Sequence, residues 1–471
     1  MSAFKLQTLK QRIVAIFLFT ALIRVAVFLF FPKLVYSDMA PDEGMYASLA
    51  KWLGESKPVD QFPGYGDVVY RQGKAFVLPA SLLYRVGINE LDSIRMISSL
   101  YGLGSLLIVS IFTIKYLAIN SNQKLEVFRN KLLLLTIAIY ALIPSHFLWS
   151  ILGLRESSVE FWTLLTFLSI YMINKNTKWK LVLWTSAGIL GLSMVFNARP
   201  QVGWLLFSSL ILSSVITWKS TKLVVVLTSV VLGLFAGNLI NGTYVLSNKS
   251  DFVPVSIDDK QVSPNVEVQE LCLTEKQIVI FENKKYECIQ KNKSFDIVGF
   301  SNPGNVVLNN IEGISWAQEV RKTGAASEIQ TFPCPLIEDS RITKLSCIAI
   351  RAPYMSFTFL TRPLIFVDTT SFVSYFAAAE NLLWLIVLSL ILFGAIRYRG
   401  ILYSKEALPA LIFMGAYVIG AGSYQGNLGT AFRHKSLILW VLLLCVYKVG
   451  LAISQDRDKR EPRNNSKESA V

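Results

Sequence analysis

Three carboxylates lie close together near the N-terminus, in the sequence Asp38-Met39-Ala40-Pro41-Asp42-Glu43. They follow an apolar run, so they are predicted to lie at a membrane boundary, where adjacent negative charges need a metal, a cation or a substrate to compensate them. A carboxylate there suits sugar transfer, because it removes a proton from the acceptor as the anomeric carbon is attacked. Two other interpretations remain open. Asp38, Asp42 and Glu43 hold a divalent cation, or Asp42 caps a helix with Glu43 in its first turn.

Ten apolar segments must position these carboxylates. Hydrophobic residues make up 53% of the chain and charged residues 17%, whereas soluble domains carry roughly a quarter charged residues. A helix needs about 20 apolar residues to cross the bilayer core, where no water satisfies exposed backbone groups. The segments that fit are 13–31, 94–117, 132–150, 159–173, 181–196, 202–217, 223–240, 382–396, 408–422 and 436–452. The sequence therefore predicts an all-α polytopic membrane protein with about ten transmembrane helices.

The distribution of lysine and arginine indicates which loops are cytoplasmic. They cluster before the first segment, after every second segment and in the C-terminal tail. Because basic residues favour the cytoplasmic side, both termini are predicted to be cytoplasmic in a multi-pass plasma (inner) membrane protein. The formal net charge of +14 is then a topology signal and not an indication of nucleic-acid binding. The loop 32–92, with the carboxylates, is predicted to be extracytoplasmic.

Four of the five cysteines lie in the long polar stretch 241–353, which the same count places outside: Cys272, Cys288, Cys334 and Cys347. An even number of cysteines in an oxidising compartment favours two disulfides, with three possible pairings. A zinc site is the alternative. The stretch has no Cys-x-x-Cys pair and no histidine, which are the usual signs of structural zinc.

The chain is predicted to divide into four parts. Residues 1–240 form a transmembrane core, and its outer loop 32–92 carries the site and a short interfacial or re-entrant helix at 75–86. Residues 241–353 form a small mixed or β-rich disulfide-stapled domain, with strand-like pieces at 277–281 and 348–350. Residues 354–452 hold an interfacial helix and the C-terminal transmembrane helices. Residues 453–471 form a disordered cytoplasmic tail.

Several short motifs follow one another in a fixed order on the outward side. They are Asp42-Glu43-x-x-Tyr46-Ala47, Lys74, Gly87-x-Asn89-Glu90 with Arg95-x-x-Ser98, Leu154-Arg155-Glu156, Asn197-x-Arg199-Pro200 and Gly426-Asn427 through Arg433-His434. This order resembles the GT-C superfamily of membrane glycosyltransferases, with protein O-mannosyltransferases and lipid A aminoarabinose transferases as the nearest relatives. The match is closest over residues 13–118 and looser to about residue 217. Lys74 lacks the prolines that follow it in those families.

The resemblance implies a GT-C-like fold in a bacterial member and a donor sugar esterified to polyprenyl phosphate. It implies a hexosyl or pentosyl transferase, with inverting displacement at the anomeric carbon, Asp42 as general base and Glu43 in support. The leaving lipid phosphate needs nearby cations. The outward-facing candidates are Lys74, Arg71, Arg155, Arg199, Arg433 and His434. For each of them, lipid headgroup contact is the alternative. No cofactor is implied beyond the possible divalent cation.

The acceptor is expected to be a lipid, a protein or a cell-envelope glycan. A polysaccharide polymerase or ligase is a close variant, since it uses the same class of lipid-phosphate substrate. A transporter or lipid-linked-sugar flippase is the alternative from another class. Transporters place polar residues in mid-membrane and show repeated halves. The predicted spans are mostly free of charge and no internal repeat is visible, which favours the enzyme.

Overall fold

The computed structural model describes residues 2–30, 41–59, 62, 66–117, 123–175, 179–217, 221–241, 246–256, 278–281, 284–297, 341–364, 368, 372–398, 400, 402, 407–424 and 428–460. Within these residues the helices are α1 (Ser2–Phe30), α2 (Pro41–Gly54), α3 (Gly66–Arg85), α4 (Glu90–Leu117), α5 (Gln123–Leu142), α6 (Pro144–Trp149), α7 (Glu156–Lys175), α8 (Trp179–Ala198), α9 (Pro200–Thr217), α10 (Thr221–Asn241), α11 (Arg341–Thr361), α12 (Phe372–Arg397), α13 (Leu408–Tyr424) and α14 (Leu428–Arg460). The strands are β1 (Leu246–Ser256), β2 (Ile278–Phe281) and β3 (Lys284–Ile297).

Five helical stretches are long and apolar enough to cross a membrane: Leu9–Leu29, Glu90–Lys115, Trp179–Ala198, Ala377–Arg397 and Ala431–Asp456. Three shorter apolar helices lie at Pro200–Ile216, Val224–Ala236 and Leu408–Ser423. The chain is therefore a multi-pass membrane protein. The described residues of nine of the ten predicted segments lie within single helices, but the number ten itself stays a prediction.

The predicted segment 132–150 is not one helix. Helix α5 ends at Leu142, and Ile143 has an extended backbone with φ −61° and ψ 128° before the short α6 begins at Pro144. A residue before proline is pushed out of the helical region by the proline ring. The break turns the chain inside the bundle and brings α6 against α14 and α7.

Helices α2, α3 and α4 share a small core of their own beside the main bundle core. Its buried members include Tyr46, Leu49, Phe76, Val77 and Ile94. The apolar positions of α2 fall on one side, as an amphipathic helix requires, and the other side is exposed. The predicted short helix at 75–86 is the C-terminal part of the longer α3, packed on α2 and α4.

The chain separates into two compact units, Met1–Gly237 with Leu308–Val471 and Asn238–Val307. The smaller unit contains an antiparallel sheet of strand order β1-β3-β2, with a register shift between Ser250 and Phe252. Strand β2 coincides with the predicted strand at 277–281. The predicted strand at 348–350 is wrong, because these residues belong to helix α11, where their apolar side chains fit a helical period as well as an alternating one.

The cysteine framework stays a prediction. Cys272 and Cys334 lie outside the described residues, Cys288 lies in β3, and Cys347 in α11 is disulfide-bonded. No pairing follows from this, since the partner of Cys347 is not among the described side chains. The remaining cysteine, Cys445, is free and buried in α14.

Two predicted boundaries near the C-terminus shift. The helix predicted to begin at 354 begins instead at Arg341, and Pro363 separates it from α12. Helix α14 continues to Arg460, into the segment predicted to be disordered. Its last turns are held by Asp456, which lies 3.8 Å from Arg397 and accepts a hydrogen bond from Tyr398 at 3.5 Å.

Candidate active site

A buried ion pair fixes the start of helix α2. Glu43 Oε1 lies 2.6 Å from Arg95 Nε, and Glu43 Oε2 lies 2.8 Å from Arg95 Nη2, so two parallel hydrogen bonds join the groups. Both side chains are only 3% exposed. A two-point pair of this kind has a defined geometry as well as a defined charge. It connects α2 to α4 across the loop 32–92.

The same carboxylate also binds the turn between α6 and α7. The backbone N–H of Gly153 donates to Glu43 Oε1 at 2.7 Å. A Cβ atom at position 153 would come within 2.1 Å of Ile94 Cγ2 and 3.0 Å of Glu43 Cγ, so only glycine permits this approach. Ser98 holds the same turn, because its hydroxyl donates to the carbonyl of Trp149 at 3.2 Å and lies 2.9 Å from Ser157 Oγ.

Three of the motifs that were predicted to lie on the outward side contribute residues to a second polar group. Arg199 Nη2 donates to Glu156 Oε1 at 2.9 Å, and Arg199 Nη1 contacts His434 Nε2. His434 Nε2 lies 3.9 Å from the same Glu156 oxygen. Helices α7 and α14 and the junction of α8 and α9, distant in sequence, thus place an acid, an arginine and a histidine together.

Asp42 lies at the edge of this group. Its side chain is 51% exposed, and its Oδ2 lies 3.8 Å from Arg433 Nη1. Arg433 is mostly buried, and its guanidinium lies 5.8 Å from the centroid of the Trp149 ring. Asp42 is therefore an accessible carboxylate beside a mostly buried cation, whereas both oxygens of its neighbour Glu43 accept internal hydrogen bonds.

The arginines of this region act on the pKa of Glu156. Burial disfavours the charged form of Glu156, yet Arg199, Arg433 and Arg155 outweigh it and hold the pKa of this carboxyl below its usual value. Tyr46 behaves in the opposite way, since burial raises the pKa of its hydroxyl. The cluster holds four arginines and three carboxylates and so has one positive charge in excess, before His434 is counted. Its members are Arg95, Arg155, Arg199, Arg433, Asp42, Glu43 and Glu156.

The remaining predicted residues fall in three places. Lys74 lies on α3 next to Ala75, whose N–H donates to Asn197 Oδ1 at 2.9 Å, two residues from Arg199. Arg71 also lies on α3, but its side chain is outside the described part of the chain, and so is Asp38. Among the described residues, no group of three or more His, Cys, Asp or Glu side chains is arranged to hold a metal ion. Because Asp38 is not described, the divalent cation stays a prediction.

A further polar network lies inside the bundle and was missed from the sequence. Tyr140 donates to Glu160 Oε1 at 2.6 Å, and His146 Nδ1 lies 3.0 Å from Glu160 Oε2. The side chains of His146 and Glu160 are 1% and 3% exposed. Arg24 of α1, also buried, donates to Ser150 Oγ at 3.2 Å and lies 5.0 Å from the Phe147 ring centroid. The predicted spans, although mostly free of charge, therefore contain a few buried ionisable groups.

A second buried set joins α6, α12 and α14. Glu380 accepts hydrogen bonds from Ser145 N at 2.6 Å and from Trp384 Nε1 at 2.9 Å. Lys435, fully buried, donates to the carbonyls of Leu360 and Arg362 and to Asn381 Oδ1. These contacts satisfy the ammonium group and tie the end of α11 to the bundle. Buried ionisable groups in membrane proteins are paired in this way when they are retained.

The sequence predicted the acidic residues of the site better than the residues to which they bond. Arg95, Ser98, Asn197 and Glu156 all stand in the recognised motifs, and the pairing of opposite charges between motifs was an available signal. Gly153 stands directly before the Leu154-Arg155-Glu156 motif, and its close approach to Glu43 has no sequence signal.

Comparison with known proteins finds similarity only at the level of solved structures. No protein-family model matches the chain, and no curated protein matches it. Among solved structures, one similar chain is ArnT from Cupriavidus metallidurans, bound to undecaprenyl phosphate. It has 10% identity and a TM-score of 0.38, over 94% of this chain and 78% of that one.

Proposed function

We propose that the chain is a membrane glycosyltransferase that takes a sugar from a polyprenyl-phosphate donor. It transfers the sugar to an acceptor at the extracytoplasmic face of the membrane. The observation that carries this proposal is the pairing of an exposed carboxylate with a cationic cluster. Asp42 is 51% exposed and lies 3.8 Å from Arg433, at the edge of a group with excess positive charge. The order of motifs, which resembles that of the GT-C superfamily, supports the same function and a GT-C-like fold.

The two halves of this site suit the two halves of the reaction. Asp42 takes the proton of the acceptor hydroxyl while the acceptor oxygen forms its bond to the anomeric carbon. The bond between that carbon and the phosphate oxygen breaks, and polyprenyl phosphate leaves with the electron pair. In this proposal Arg433, Arg199 and His434 stabilise the negative charge that develops on the phosphate. Lys74, Arg155 and Arg71 remain candidates for the same role.

Glu43, expected to support Asp42, does so in this proposal by positioning it. Both of its oxygens are bonded, to Arg95 and to Gly153, so it is a positioning residue and does not contact substrate. Its contacts fix the N-terminal turn of α2 and thereby the direction of Asp42. A carboxylate that is rigidly placed in advance costs less to orient during the reaction.

The sidedness of the site is part of the proposal. We place both termini in the cytoplasm and the loop 32–92 outside, with 241–353 as a disulfide-stapled outer domain, on the distribution of lysine and arginine. Reporter fusions after residues 92, 217 and 300 test this arrangement. An outward signal at 92 and 300 and a cytoplasmic signal at 217 support it, and a cytoplasmic signal at 300 overturns it.

The experiment that tests the function compares cells with and without the gene. Mass spectrometry of lipid-linked sugars and of surface glycans should show the donor accumulating and one sugar missing from a surface lipid, protein or glycan when the gene is absent. A loss of whole repeat units instead of one sugar would favour the polymerase or ligase variant. Unchanged lipid-linked and surface glycans would contradict the proposal.

The buried network supports a second candidate function, a transporter or flippase of the lipid-linked sugar. Glu160, His146 and Arg24 lie inside the bundle, where ionisable residues frequently serve translocation. Purified protein in liposomes distinguishes the two functions. A flippase exposes lipid-linked sugar to an impermeant oxidant without forming a new glycosidic bond, whereas a transferase forms product and needs Asp42.

A further inference from the structure

An open cleft of about 520 Å³ lies on the exposed side of α2. Its lining includes Gly44, Met45 and Ser48 from α2, with Trp52 from the same helix and Phe62 from the segment that follows. These α2 positions lie opposite the buried Tyr46 and Leu49. The cleft is therefore distinct from the arginine cluster, none of whose members lines it.

The aromatic part of the lining is held in place. Trp52 and Phe62 meet edge to face, with ring centroids 5.6 Å apart. The indole Nε1–H of Trp52 donates to the carbonyl of Pro58 at 2.8 Å, and Lys57 Nζ lies 4.7 Å from the Trp52 ring centroid. A surface tryptophan fixed by three contacts offers a rigid apolar face with polar edges.

The charged part of the lining is neutral as a whole. Two lysines and two glutamates line the cleft, and they pair as Lys51 with Glu90 at 3.1 Å and Lys57 with Glu55 at 2.6 Å. No net charge is left to select a phosphate. An acyl chain would also be disfavoured, because four charged groups would lose water without gaining partners.

A neutral saccharide fits this chemistry. The C–H face of a pyranose packs on aromatic rings, and its hydroxyl groups both donate to carboxylates and accept from ammonium groups. The volume is within the range of about 300–1,000 Å³ that holds small ligands. The cleft also lies on the helix that begins with Asp42. Since a helix rises about 1.5 Å per residue, Ser48 is about 9 Å along the axis from Asp42.

We propose that this cleft is a subsite for neutral sugar units of the acceptor glycan, which reaches from Trp52 towards Asp42. The inference rests on the proposed function and narrows the acceptor from a lipid, protein or glycan to a molecule with neutral sugar residues next to the accepting hydroxyl. The role of the subsite is to hold the acceptor while Asp42 removes its proton.

The test uses the purified full chain in detergent and saturation-transfer NMR with methyl glycosides of glucose, mannose, galactose and N-acetylglucosamine as probes. Ring C–H protons of at least one probe should receive saturation, and Trp52→Ala should reduce the signal at least fivefold, whereas Trp52→Phe keeps most of it. Ser48→Trp fills the cleft without removing a packed side chain and should also abolish the signal. Equal signals in the wild type, Trp52→Ala and Ser48→Trp, or no signal with any probe, would overturn the subsite.

Asp42→Asn separates this inference from the proposed function. That variant should bind the probe as the wild type does, because Asp42 is not part of the cleft. If Asp42→Asn binds the probe and still transfers sugar, the proposed function fails while the subsite stands. If Trp52→Ala loses neither binding nor transfer while Asp42→Asn loses transfer, the subsite fails and the function stands.

Discussion

Glu43 and Arg95, 52 residues apart, form a two-point ion pair in which both side chains are almost completely buried. The pair aligns α2 with α4 and leaves the preceding residue, Asp42, exposed towards Arg433. Two adjacent carboxylates thus acquire different tasks from their surroundings, one structural and one available for chemistry.

Arg95→Met should destabilise the protein strongly. Removing one partner of a buried ion pair leaves an uncompensated charge, at a cost of about 3–5 kcal/mol. Thermal unfolding in detergent measures the loss, and the double variant Glu43→Leu/Arg95→Met should lose less than the single variant. Lys51→Met, which breaks an exposed pair with Glu90, is the matched control and should unfold like the wild type. An unchanged unfolding temperature for Arg95→Met would show that the pair does not hold α2.

Gly153→Ala should reduce both stability and transfer. The added methyl group would overlap Ile94 Cγ2 at 2.1 Å and push against Glu43, so the turn must shift and the Gly153–Glu43 hydrogen bond must lengthen. Gly415→Ala is the control, since a Cβ at that position meets nothing within 4 Å. Comparison of the unfolding temperatures checks the prediction, and equal effects of the two substitutions would contradict the close approach.

Glu156 should make the protein sensitive to acid. Its pKa in the folded protein lies below its ordinary value of 4.5, so its contribution to stability is present above about pH 4.5 and is lost as the pH falls through the folded-state value. Unfolding temperatures measured from pH 7 to pH 3 should decline at the acid end, and Glu156→Gln should flatten that decline. An identical pH profile in the variant would mean that the arginines do not stabilise this carboxylate.

Arg199→Lys should weaken donor binding while keeping the charge. One guanidinium contacts both Glu156 and His434, and an ammonium group cannot reproduce that planar two-sided contact. The apparent KM for the lipid-linked donor should rise about tenfold or more, which corresponds to about 1.4 kcal/mol. Arg397→Lys, at the exposed pair with Asp456, should leave KM unchanged. A donor KM that is equal in both variants would remove Arg199 from the phosphate site.

The sequence predicted the multi-pass membrane class, whereas the contacts between the motifs follow only from the structure. Long apolar runs predict helices reliably because backbone groups in the bilayer core must form their hydrogen bonds within the segment. The motifs around Asp42, Arg199 and His434 were predicted to lie on one side, and the structure brings them into one cluster. Their roles in catalysis stay predictions.

Other features could not be read from the chain because they depend on packing. Glu43 was predicted to support catalysis, but only the fold reveals that Arg95 and Gly153 occupy both of its oxygens. Arg24 and Glu160 stand in apolar segments whose average hydropathy hides them, and their partners come from other helices. The break at Pro144 was visible as a residue type, but its effect on the path of α5 was not.

The most direct measurement is sugar transfer by Asp42→Asn in a strain that lacks the wild-type gene, with the level of inserted protein checked in the membrane fraction. The control is Asp92→Asn, which replaces another carboxylate near a helix start, one that accepts a hydrogen bond from the side-chain amide of Asn89. Transfer should fall by at least 100-fold in Asp42→Asn and remain near normal in Asp92→Asn, because loss of a general base typically costs a factor of about 10²–10⁴. Normal transfer by Asp42→Asn, at an equal level of inserted protein, would contradict the central claim that this carboxylate is the base.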